Sequence, residues 1–155
     1  MKNSTAIIGH LNLLLENELT AADQYFVHSR MYENWGLNKL YERIGHEQHD
    51  ELGHADVLIR RILFLNGVPD LSKRAPLKIG QTVPDMLRND LAVEYEVAAL
   101  LRDAIECCEK ERDYVTRDLL MPLLEDTEND HAHWLEQQLW LIENTGLENY
   151  LQAMQ

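Results

Sequence analysis

The chain has 155 residues, 45% of them hydrophobic and 26% charged, a length and balance that suit one folded domain (residues 1–155) with a substantial core. A formal net charge of -13 argues against nucleic acid, whose phosphates select lysine and arginine, and suits a protein that attracts cations. No apolar run reaches the roughly 18 residues of a membrane span. His10, Asn12 and Glu16 interrupt the N-terminal apolar stretch, so no signal peptide is expected either. The two cysteines, Cys107 and Cys108, are neighbours. Adjacent residues make a poor disulfide, so two free thiols and a cytoplasmic location are expected.

The first predicted helix runs from about Ser4 to Asn34 and ends at a Trp35-Gly36 turn. Its inward stripe is Leu11, Leu14, Glu18, Ala21 and Tyr25. A second helix follows to about Asn66, with Gly67 placed as its C-terminal cap and Pro69 blocking continuation. Its stripe is Leu40, Ile44, Glu47, Glu51, His54, Leu58, Ile62 and Leu65. Residues 67–81 carry Pro69, Pro76 and Gly80 without helical period, and form the one long connection. Thr82 caps a third helix with Pro84 in its first turn; the stripe is Leu87, Leu91, Glu94, Ala98, Leu101 and Ile105, ending in charges near Glu109 to Arg112. A fourth helix spans roughly Asp113 to Asn144, with Leu120, Leu124, Glu128, His131, Leu135 and Ile142 inward and Pro122 as a local irregularity. Gly146 separates it from a short helix over Leu147 to Met154.

These elements make an all-α protein, a four-helix bundle with a short fifth helix. Helices of about 28 residues are roughly 42 Å long. The long connection between the second and third helices suits a crossover running the length of the bundle, which is the ferritin-like topology.

Acidic and imidazole groups interrupt all four apolar stripes. Glu51-Leu52-Gly53-His54 and Glu128-Asn129-Asp130-His131 are both Glu-x-x-His, and Glu18 and Glu94 are lone glutamates in register on the other two helices. Residues three apart share a helix face, so each pair aims a carboxylate and an imidazole at one point. One Glu from each of two helices and Glu-x-x-His from each of the other two is the pattern of di-iron carboxylate bundles. A buried ion costs several kcal/mol even after relaxation, on the order of 5 per group, and two divalent cations would cancel four carboxylates. Oxygen and nitrogen ligands with open positions suit iron that must meet dioxygen. Taken singly, each of these residues could instead be a hydrogen-bonding partner in the core.

Over nearly its whole length the chain resembles the bacterial ferritin and bacterioferritin family. The stretches that carry the resemblance include Asn17-Glu18-Leu19, Asp23-Gln24-Tyr25-Phe26, Asn34-Trp35-Gly36, His54-Ala55-Asp56, Arg61-Ile62-Leu63-Phe64-Leu65 and Gly146-Leu147-Glu148-Asn149-Tyr150-Leu151-Gln152. The resemblance implies a ferroxidase centre with Glu18, Glu51 and His54 on one iron and Glu94, Glu128 and His131 on the other, Glu51 and Glu128 bridging. It implies oxidation of Fe(II) by oxygen or hydrogen peroxide, a 24-subunit shell holding ferric mineral, and a ferredoxin as electron donor for iron release. His46 and Asp50 would be cavity-side iron ligands, or simply a solvated polar face. Tyr25 and Trp134 would donate electrons, or serve as plain core or interface aromatics.

Two departures from the family pattern stand out. Where haem-binding members carry a methionine, this chain has Leu52, which has no donor atom. The expectation is therefore a haem-free protein, or one that shares its shell with a haem-binding bacterioferritin subunit. The fourth helix also has one extra residue before His131. An ungapped register offers Thr127 and Asp130 as ligands, whereas Glu128 and His131 restore the motif if a π-bulge absorbs the insertion. Gly53, between two ligands, suits either close approach of another subunit or simple tolerance. Two other functions use the same residues: a di-iron oxygenase or peroxidase acting on a small substrate, and a structural subunit of a mixed shell.

Overall fold

The computed structural model describes residues 4–155. Six α-helices follow one another: α1 (Thr5–Asn34), α2 (Asn38–Phe64), α3 (Val83–Lys110), α4 (Tyr114–Glu125), α5 (His133–Thr145) and α6 (Leu147–Ala153). A π segment, Asp126–Ala132, joins α4 to α5, so the fourth member of the bundle is one rod made of three pieces.

Capping residues set the helix ends. Ser4 accepts a hydrogen bond from the Ile7 amide at the start of α1, and Thr82 does the same for Asp85 at the start of α3. Asp113 caps α4 by accepting from the Thr116 amide and hydroxyl. Gly36 and Gly146 take the positive φ values of 78° and 86° that their turns require. At the end of α2 the expected glycine cap is displaced by one residue. Asn66 occupies the left-handed position at φ 63°, while Gly67 donates to the Ile62 carbonyl. Gly67 is needed for another reason, since a Cβ there would lie 2.8 Å from Ile8 Cγ2 and 2.9 Å from Ile62 Cγ2.

The long connection does run the length of the bundle, and α1 carries a ladder of polar side chains that fixes it. Asn12 bonds to the Val68 carbonyl and the Asp70 amide, Thr20 accepts from Ala75, Gln24 from Lys78, and His28 Nε2 from Gly80. Positions 12 to 28 on α1 thus meet 68 to 80 in order, a climb of about 24 Å at 1.5 Å per residue. The chain is thereby returned to the end of the bundle where α2 began, and α3 runs parallel to α2. These contacts also satisfy backbone groups of a segment without secondary structure of its own.

The core has two apolar blocks. One contains Ile7, Leu11, Leu14, Leu58, Ile62, Leu101, Leu120 and Leu123, and the other Tyr25, Tyr32, Leu40, Ile44, Met86, Leu87, Leu135 and Tyr150. Along α1, α2 and α3 the residues between the blocks are Glu18, Glu51 with His54, and Glu94. All four are buried. The apolar blocks therefore close a polar layer from both ends.

Candidate metal centre

Glu18, Glu51, His54, Glu94 and His131 meet in this layer, each at most 5% exposed. They form two triads, Glu18–Glu51–His54 and Glu51–Glu94–His131, whose ligand atoms lie within 4.8 Å of one another. Glu51 belongs to both. His54 Nδ1 is 2.7 Å from Glu18 Oε2 and 3.7 Å from Glu51 Oε2. His131 Nδ1 is 2.8 Å from Glu51 Oε1 and 3.4 Å from Glu94 Oε1. The two imidazoles stack with centroids 5.9 Å apart and planes 16° from parallel. Tyr25 donates its hydroxyl to Glu94 Oε1.

The electrostatics is that of a site that gathers cations. Burial, followed by the neighbouring Glu51, pushes the Glu18 carboxyl well above its ordinary value. Burial also raises Glu94, although hydrogen bonding to His131 and Tyr25 opposes it. For His54 burial disfavours the charge, but its bonds to Glu18 and Glu51 outweigh that and push it up to about 11. His131 is raised well above its usual range by Glu47, Glu51 and Glu94, again against the effect of burial. The carboxylates around each imidazole thus favour its protonated form. Glu18 Oε1, Glu51 Oε1 and His131 Nδ1 are still buried without a hydrogen-bond partner of good alignment. Buried polar atoms of that kind in a Glu/His set suit divalent cations.

Glu128, expected as a ligand, is not brought to the other five residues. It lies outside both triads, and its half-buried carboxylate is ion-paired with Arg102 on α3. The cause is the π segment itself. Residues three apart on an α-helix diverge by only about 60° around the axis, but a π turn takes in more residues, so the same step separates them further. His131 keeps its inward direction and Glu128 loses it. The ungapped alternatives do not replace it: Thr127 is buried but donates to the Leu123 carbonyl, and Asp130 pairs with Arg43 at 2.8 Å.

What the π segment does bring to the centre is Asp126, which sequence patterning did not single out. Its Oδ2 is 3.1 Å from His54 Nε2, on the side of the ring facing away from the carboxylates. Asp50 stands in the same relation to His131, with Oδ2 3.1 Å from Nε2, and Glu47 Oε2 is 2.5 Å from the same nitrogen. Glu47, Asp50, Asp130 and His131 form a further acidic group on that side, with Arg43 bonded to Glu47 and Asp130 and lying over the Trp134 ring. His46 is largely exposed and reaches Asp50 at 3.5 Å. Leu52 lies on the outer face of α2, and a Cβ on Gly53 would meet nothing within 4 Å.

The family model for the ferritin-like domain matches residues 8–145. A bacterial ferritin from Synechocystis sp. is 58% identical over 153 residues, covering 99% of this chain and 98% of that protein. One from Paramagnetospirillum magnetotacticum is 57% identical over 154 residues, covering 99% and 94%. A bacterioferritin from Mycolicibacterium paratuberculosis is 40% identical over 150 residues, covering 97% and 94%.

Proposed function

Because the chain belongs to the ferritin family, we propose that it stores iron by oxidising Fe(II) to Fe(III) at a two-iron centre inside each subunit. The observation that carries this reading is the pair of buried triads sharing Glu51. Glu51 can bridge two cations, with Glu18 and His54 on one and Glu94 and His131 on the other. Two ferrous ions each give up one electron. Dioxygen takes the pair, with two protons, to form hydrogen peroxide, or peroxide takes it to form water.

The chain's own groups prepare that step. Cation binding at the Nδ1 atoms displaces protons held on His54 and His131, so loading the site releases acid. Burial and the neighbouring Glu94 keep the Tyr25 hydroxyl protonated, so it holds Glu94 as a donor. The oxidised iron passes into a cavity enclosed by many copies of the chain, 24 in this proposal. With Leu52 in place of a sulfur donor, this chain brings no haem ligand of its own at that position. The free thiols of Cys107 and Cys108 fit a reducing cytoplasm, where a ferredoxin would return electrons for release.

The test is aerobic addition of Fe(II) to the metal-free protein, followed by stopped-flow absorbance, with assembly mass measured on the same sample. Rapid oxidation on a multi-subunit shell is expected, and Glu51→Gln should slow it at least about 100-fold by removing a ligand of both ions, on the scale of losing an essential catalytic group. Oxidation at the parental rate in Glu51→Gln would sink the assignment.

A further inference from the structure

Each imidazole of the centre has a carboxylate behind it, delivered by the opposite half of the bundle. Asp126, from the π segment, stands at Nε2 of His54 on α2; Asp50, from α2, stands at Nε2 of His131 on the π segment. The pairing is crossed, and sequence spacing alone hides it. Asp50 precedes His54 by four residues, but Asp126 precedes His131 by five. Four residues is one hydrogen-bonded step of an α-helix and five is one step of a π-helix. In both helices, therefore, the aspartate lies one turn before the histidine of its own helix and reaches the histidine of the other. The π segment absorbs the extra residue while preserving this relation, and Glu128 is the residue displaced.

We propose that Asp126 is a positioning residue: it takes the Nε2 hydrogen of His54 and so turns the Nδ1 lone pair toward the point shared with Glu18 and Glu51. Asp126 belongs to neither triad, and the ring separates it from Glu18, so its part is to orient His54 rather than to hold the metal. A ligating histidine whose second nitrogen donates to a carboxylate has its tautomer and ring direction fixed and its basicity raised. Asp50 does the same for His131, with Glu47 Oε2 as a second carboxylate at that nitrogen. The two sites are thus unequal. His54 depends on one half-exposed aspartate, whereas His131 has Asp50 and the buried Glu47.

The inference rests on the two-ion reading, and Co2+ tests the two separately. Calorimetric titration of the metal-free shell should give two ions per subunit. Asp126→Ala should weaken one binding step by about 10–100-fold, the usual loss when a carboxylate behind a metal-bound histidine is removed, and leave the other step within about twofold. Asp126→Asn should recover most of the loss, because its amide oxygen still accepts from Nε2–H. In the cobalt-loaded protein each ligating imidazole should give one paramagnetically shifted, exchangeable N–H signal. The signal that His54→Gln removes should be the one whose solvent exchange quickens in Asp126→Ala, while Asp50→Ala affects the other. Equal weakening of both steps, or an unchanged His54 N–H signal, would overturn the proposal while leaving the two-ion centre standing. Fewer than two Co2+ per subunit in the parent would overturn the two-ion reading, and this proposal with it. Asp126 is more than half exposed, so both variants are expected to fold, with circular dichroism and shell mass as the check.

Discussion

Glu128 and Glu51 are both glutamates of Glu-x-x-His motifs, yet the structure gives them unlike surroundings. One is fully buried between two imidazoles; the other lies near the surface on Arg102. Glu128→Gln should therefore change ferrous oxidation less than about threefold and stability by less than about 1 kcal/mol, the range of a partly exposed ion pair. A loss of rate as large as that in Glu51→Gln would mean that Glu128 moves into the centre once metal arrives. His54 supports a pH prediction for the metal-free protein. Its folded pKa lies near 11, against an ordinary value of 6.5. A raised value favours the fold in full below pH 6.5, and the contribution is lost as pH rises through about 11. The thermal midpoint of the metal-free protein should accordingly fall across that window. His54→Gln should show a shallower decline, and an identical slope in parent and variant would exclude His54 as the source.

The crossover illustrates how an element without secondary structure is held by one that has it. Asn12, Thr20, Gln24 and His28 lie on one side of α1 and hold successive backbone groups of the connection. His28 is the most constrained, since Nε2 accepts from Gly80 and Nδ1 therefore donates to Asp90, with both side chains fully buried. Burial raises the Asp90 carboxyl, and its bonds to His28 and Gln24 counter that. His28→Ala would leave a buried carboxylate with Gln24 alone as donor. The expected cost is about 1–3 kcal/mol, the scale for leaving a buried polar group without its hydrogen-bond partner. Chemical denaturation measures it, and a loss under about 1 kcal/mol would show that the crossover is held chiefly by its apolar contacts. Gly80 is fixed for a related reason: an added Cβ would lie 2.6 Å from the Met86 amide nitrogen.

As a single chain the molecule leaves much apolar surface uncovered. Phe26, Leu52, Leu63, Phe64, Val115 and Trp140 are each between 45% and 61% exposed. Exposed apolar side chains of this size suit burial between subunits of the proposed shell. None of the helices is long and apolar enough, among the described residues, to send these groups into a membrane. The prediction is a shell whose mass, by light scattering, is that of many subunits, and which Phe64→Glu weakens toward smaller species. Unchanged assembly in that variant would remove the α2 end from the interface.

The amino-acid sequence by itself determined the four-helix bundle, the place of the crossover and the inward direction of Glu18, Glu51, His54 and Glu94. Helical periodicity repeats every few residues and is read without knowing what lies opposite. Turn glycines at 36 and 146 were legible for the same reason, because their conformation is a local demand. The left-handed residue that ends α2 is Asn66, one before the glycine that spacing suggests, because asparagine also adopts that form and Gly67 is required by packing against Ile8 and Ile62. The fourth helix was the harder case. An insertion can be absorbed at any point along a rod, and spacing does not say which side chains turn away. The environment decided it: His131 finds Glu51 and Glu94, Asp126 finds His54, and Glu128 finds Arg102. Each of these partners comes from another helix, and only the tertiary structure brings them within reach.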